Sequence, residues 1–99
     1  MTVRADGWAV LSVTGDCDLA SAPALRADLI RVARDHDRLV VDLRGVSFID
    51  SVGLGLLVGA ARRVAQLVIV AEEGDPARRA LRTSRVEEIL DVRAEFPQA

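Results

Sequence analysis

Apolar positions along this chain change period several times, and each change marks an element. Val3-Arg4 and Trp8 to Thr14 are short extended segments on either side of Ala5-Asp6-Gly7, and an Asp-Gly pair between apolar runs predicts a hairpin turn. The chain should therefore open with two antiparallel strands. From about Pro23 to Arg34 the period becomes helical: Leu25, Leu29, Val32 and Ala33 recur on one face, and Arg26, Asp28, Arg31 and Arg34 are left for solvent. Ser21 is the capping candidate and Pro23 falls in the first turn. Leu39-Val40-Val41-Asp42-Leu43 and Leu67-Val68-Ile69-Val70-Ala71 are mostly or wholly apolar runs, the pattern of strands covered on both faces. A helix from about Ser51 to Val64 lies between them, and strand, helix, strand of this length implies a right-handed crossover with parallel pairing. Asp75-Pro76 starts a short amphipathic helix through about Thr83, and Val86 to Leu90 predicts one or two further helical turns before Val92. The expected fold is α/β: a mixed sheet of about four strands with helices packed on it, in one domain spanning 1–99.

Composition narrows what such a domain does. Thirteen basic and fifteen acidic residues are spread along the chain, for a net charge of -2, so the basic excess that nucleic acid or an anionic membrane favours is absent. Every basic residue is arginine, and the lack of lysine removes P-loop, Schiff-base and lysine-dependent receiver chemistry. The single cysteine, Cys17, has no partner for an internal disulfide, and residues 1–6 lack the apolar core of a signal peptide. Ser51 to Ala61 is uncharged but about half the length of a membrane-spanning helix, and three glycines interrupt it. The expectation is a soluble protein of the cytoplasm. Cys17 reads as a small buried hydrophobe. His36, in the polar connection Asp35-His36-Asp37-Arg38, reads as a solvated loop residue with too few ligand neighbours for a metal site. With three aromatic residues in the chain, no aromatic patch points to a small ligand, and no cofactor is expected.

The distinctive segment is Val46 to Gly59, and three readings compete for it. A serine at a strand-to-helix turn with Gly53 two positions on suggests a nucleophile elbow, that is, a small serine hydrolase. Against it, Ile49 stands where the first glycine belongs and the only histidine precedes the serine. Gly53 and Gly55 after a strand suggest a dinucleotide fingerprint, but Gly59 is one residue too far along and the chain is short for the full domain. The third reading is capping, since Asp50 and Ser51 both suit the start of a helix. Capping leaves the helix itself unexplained. It is apolar on nearly every side, and Ser51, Gly55, Gly59 and Arg62 form a low strip along one face. Such a strip admits either a neighbouring element or a partner's backbone.

Gly15-Asp16-Cys17-Asp18-Leu19, Ala22-Pro23-Ala24-Leu25, Val40-Val41-Asp42-Leu43, Phe48-Ile49-Asp50-Ser51-Val52-Gly53-Leu54-Gly55 and Ala60-Ala61-Arg62-Arg63 together resemble the consecutive signatures of bacterial anti-sigma factor antagonists of the STAS superfamily. The resemblance implies a STAS-type domain that works by partner switching and is not an enzyme. The unmodified antagonist binds an anti-sigma factor that is also a serine kinase, and a sigma factor is released for transcription. The kinase phosphorylates the serine after the motif's aspartate, here Ser51; the modified form lets go, and a phosphatase restores it. Asp18, Asp50, Ser51, Val52, Gly53 and Leu54 are the implied partner-binding residues. Asp18 is expected either to recognise the kinase or position the hydroxyl, or else merely to close the turn before the first helix. A STAS scaffold that is never phosphorylated is the alternative. Three departures from the family pattern stand out. Val52 replaces a hydroxyl residue, Val64-Ala65-Gln66 replaces a Gly-Gly connection, and Ser84-Arg85-Val86 stands where Thr-Gly-Leu is usual, which implies a different turn geometry there.

Overall fold

The computed structural model describes residues 2–4 and 6–98; of Thr2 only the backbone is described. Five strands form one sheet in the order of the chain: β1 (Thr2–Val3), β2 (Ala9–Cys17), β3 (Arg38–Ile49), β4 (Gln66–Val70) and β5 (Asp91–Arg93). The opening hairpin is antiparallel and β2 to β5 run parallel. The connecting helices are α1 (Ala22–Asp35), α2 (Ser51–Ala61) and α3 (Pro76–Thr83). Val86–Glu88 forms a single 3-10 turn.

The sheet has one strand more than the sequence pattern predicts. β5 contains one apolar residue, Val92, between two charged ones, too short for any period to register; it is found by its pairing with β4 and by the Ala71 amide donating to the Arg93 carbonyl (2.9 Å). The second helix also ends early, at Ala61 instead of Val64, and the Arg62 and Arg63 amides close a turn onto Gly59 and Ala60.

Both faces of the central strands are covered, by different means. Leu25, Leu29 and Val32 of α1, Leu54, Leu57 and Ala60 of α2, and Ala77 and Leu81 of α3 pack with Leu39, Val41, Ile69 and their neighbours into the larger core. On the opposite face Trp8 covers Val40, Val68 and Val70, with Val10 and Phe96 packed alongside. Arginines finish this thin layer: the Arg38 guanidinium lies 5.3 Å from the Trp8 ring centre and that of Arg44 4.9 Å from Phe96. Arg4 ties the C-terminal segment to the hairpin by donating to the Pro97 carbonyl (3.0 Å).

β3 is much longer than β4. Residues 39–42 pair on both sides and Arg38 with β4 alone, while the remainder through Ile49 pairs only with β2, past two register shifts. The β2–β3 ribbon therefore runs on beyond the body of the sheet and carries at its end the two loops that matter next.

Candidate functional site

β2 ends at Cys17 opposite Ile49, the last residue of β3, so the chain leaves the ribbon twice at one place: through Asp18 into α1 and through Asp50 into α2. The Asp50 amide donates to the Cys17 carbonyl (3.1 Å), which locks the two exits together. Asp50 has extended backbone and is the N-cap of α2; its Oδ1 accepts from the amides of Val52 (3.0 Å) and Gly53 (3.1 Å). Ser51 follows as the first helical residue, and it is exposed. The structure thus assigns the capping role to Asp50 and leaves the Ser51 side chain at the surface.

Gly53 is where glycine is required. A Cβ there would lie 2.8 Å from the Cys17 carbonyl oxygen and 2.8 Å from Ile49 Cγ1, so the first turn of α2 can sit on the end of the ribbon only without a side chain. Gly55 and Gly59 differ: a Cβ at either would meet nothing within 4 Å. The smooth strip faces outward and is not filled by any other part of the described chain.

Asp18 closes its own turn. Its Oδ1 accepts from the Ser21 amide (3.0 Å), its amide donates to Ser21 Oγ (2.9 Å), and Ser21 Oγ donates to the Asp16 carbonyl (2.7 Å). Ser21 stands at the N-cap of α1 but makes no capping bond; its hydroxyl is occupied by this turn. The turn-closing role expected of Asp18 is therefore present. Asp18 also stands close enough to Asp50 for both to act on the Cys17 thiol. Burial first, then the carboxylates of Asp18, Asp16 and Asp50, push that thiol above its ordinary pKa, so it stays protonated and unreactive.

Of the residues expected to face a partner, Ser51 and Val52 are exposed, Asp18 and Asp50 are half-buried, and Gly53 and Leu54 are buried. The last two shape the turn and offer no surface. Two exposed apolar residues outside that set flank it: Leu19, 73% exposed, and Phe48, 51% exposed. The available signal was an apolar side chain within a polar turn, and an apolar residue on a strand that outruns its neighbour. Beside Val52 an apolar hollow of about 510 Å³ opens between α1 and α2. It is of ligand-pocket size but lacks convergent polar groups that would orient a small metabolite.

His36 caps the far end of α1, before β3 begins, whereas Ser51 follows the end of β3. The twelve-residue strand holds the imidazole and the hydroxyl at opposite ends of the sheet, so no nucleophile–base pair forms at Ser51. Among the described residues no three His, Cys, Asp or Glu side chains cluster as metal ligands, and no helix is long and apolar enough to cross a membrane.

The profile of the STAS domain matches residues 1–99. The chain belongs to the STAS domain family. Over 64 residues it is 41% identical to the anti-sigma-F factor antagonist RsfB of Mycobacterium tuberculosis, covering 64% of this chain and 52% of that protein. Over 54 residues it is 39% identical to the anti-sigma-B factor antagonist of Bacillus subtilis, covering 54% of this chain and 50% of that protein. The chain thus spans about half the length of the curated relatives it matches. The crystal structure of an anti-sigma factor antagonist from Mycobacterium paratuberculosis superposes with a TM-score of 0.86 at 30% identity, over 94% of this chain and 82% of that one. The turn at Ser84-Arg85-Val86 holds a strained residue. Arg85 adopts the left-handed conformation, φ 66°, a region that favours glycine.

Proposed function

We propose that this STAS domain, spanning 1–99, is an anti-sigma factor antagonist: unmodified, it binds an anti-sigma factor with serine kinase activity and so releases a sigma factor, and phosphorylation of Ser51 ends the complex. The observation that carries this reading is the exposed Ser51 hydroxyl at the first residue of α2, set on a rigid ribbon end between Asp50 and the Asp18 turn. The kinase chemistry belongs to the partner, a phosphatase resets the cycle, and both act on this chain in the cytoplasm.

The physics of the site supports a switch at the surface and not in the fold. A phosphate brings about 1.5 to 2 negative charges. Asp50 already occupies the amides of Val52 and Gly53, so the helix start has little left with which to neutralise it. The added charge, close to Asp50 and Asp18, stays exposed to whatever docks there. Unfavourable charge juxtaposition in an interface costs several kcal/mol. About 2.7 kcal/mol is enough for a hundredfold loss of affinity.

The test is capture from lysate of the source organism with wild-type, Ser51→Ala and Ser51→Asp baits, with bound proteins and phosphosites read by mass spectrometry. Wild type and Ser51→Ala should retain an anti-sigma factor with a kinase fold, and Ser51→Asp should lose it. Equal retention by all three would reduce Ser51 to a helix-start residue and leave a scaffold role for the domain.

A further inference from the structure

The outer faces of α1 and α2 enclose a continuous trough that starts at Leu19 and Val52, beside Ser51, and runs to the C-terminal ends of both helices. Its floor is apolar: Pro23 and Ile30 from α1, Leu56 and Ala60 from α2, with Gly55 and Gly59 leaving its α2 side low. The charged residues that line it are Arg26, Arg34 and Arg63, and no carboxylate lines it. All three are exposed, and among the described residues none has a salt-bridge partner, although the chain as a whole has more acids than bases. Elsewhere seven arginines, Arg4, Arg31, Arg44, Arg78, Arg82, Arg85 and Arg93, pair with carboxylates, while Arg38 lies over Trp8, Arg79 donates to the Gly74 carbonyl and Arg62 ends α2. Three of the six arginines without a carboxylate partner among the described residues therefore line this trough, and no acid there offsets them.

We infer that this trough receives a helix of the partner protein that presents a stripe of apolar side chains flanked by aspartates or glutamates. Two packed helices leave a groove into which a third fits at the usual interaxial distance of about 8–10 Å, and the missing side chains at Gly55 and Gly59 let its backbone approach. The rim arginines then pair with the flanking carboxylates and set register and orientation. A second copy of this chain is a poor occupant. Its α3 carries Arg78, Arg79 and Arg82, and Glu87 is already paired with Arg78 and Arg82. The inference rests on the reading of the chain as a partner-binding antagonist and deepens it: a phosphate on Ser51 would place negative charge at the mouth of a trough built for an acidic ligand.

The probes are two stapled helical peptides of about four turns with the same leucine stripe, one flanked by glutamates and the other by lysines, titrated at low salt into the ¹⁵N-labelled full chain. The glutamate peptide should shift amides along residues 22–34 and 52–63 and bind at least tenfold more tightly than the lysine peptide. Arg26→Glu/Arg63→Glu should reverse that preference. Gly59→Leu, which has open space around its new side chain, should stay folded and lose the glutamate peptide. Equal binding of the two peptides, shifts confined to another face, an unreversed preference, or a dimer closing the trough in sedimentation would each overturn the inference. The peptides do not report on Ser51, so capture that follows Ser51 with peptides that fail sinks the trough alone. Discriminating peptides with capture indifferent to Ser51 sink the phosphoswitch alone.

Discussion

Gly53 and Gly59 belong to the same helix and are glycines for opposite reasons. At Gly53 the space is taken: the Cys17 carbonyl and Ile49 press against the helix start, and a methyl group would collide with both. At Gly59 the space is empty and nothing in the described chain asks for it to stay so. A glycine in a helix interior costs about 0.5–1 kcal/mol relative to alanine. At Gly53 packing of α2 onto the ribbon returns that cost within the domain. At Gly55 and Gly59 no intramolecular contact does, which is why the outer face of α2 reads as a surface kept clear for another molecule.

Substitutions sharpen the contrast, beginning with the largest effect. Gly53→Val should destabilise the domain by about 3 kcal/mol, because the branched side chain must displace a backbone carbonyl as well as Ile49. Chemical denaturation measures this, and a wild-type midpoint would mean that the helix start is not seated as described. Asp50→Ala should cost about 1 kcal/mol by removing the acceptor for the Val52 and Gly53 amides. Asp50→Asn should keep most of the cap while removing its charge, so comparing the phosphorylation rates of the two variants separates helix seating from electrostatics. Gly59→Ala should move stability the other way, up by about 0.5–1 kcal/mol in thermal melts. A loss there would show that the strip is packed after all. Arg85→Gly should also stabilise, by at most about 1 kcal/mol, since relief of the left-handed strain is offset by glycine's greater unfolded-state entropy and the loss of the exposed Arg85–Glu88 pair. The smallest effect is expected at Cys17. Burial and the neighbouring carboxylates hold its thiol protonated, so alkylation at pH 8 should proceed only in a denatured control. Rapid native labelling would mean that the junction of the two loops opens.

Much of the architecture was legible from residue order. The hairpin at Asp6-Gly7, α1 and α3, the two apolar strands and the crossover between them all follow from period and punctuation, because each involves enough residues for a pattern to repeat. β5 was not legible, since three residues with one apolar position are a strand only by virtue of their neighbour. The extension of β3 to Ile49 was also hidden: Arg44, Gly45 and Ser47 break the apolar run, and their extended conformation is secured by β2 alone. At the site, Asp50 and Ser51 were equivalent capping candidates by residue type. Extended backbone at Asp50 and a helical one at Ser51 separated them.

Sequence by itself determined the order of elements, the parallel crossover, the position of Ser51 at a strand-to-helix junction and the family resemblance, because these depend on local preference and on motifs contiguous in the chain. Only the tertiary structure decided which glycine is packed and which is open. It also brought the Asp18 turn against Asp50 and gathered Arg26, Arg34 and Arg63 around one apolar trough. Those are relations between residues far apart in the chain, set by how α1 and α2 lie on the sheet, and no local period encodes a distance between two helices.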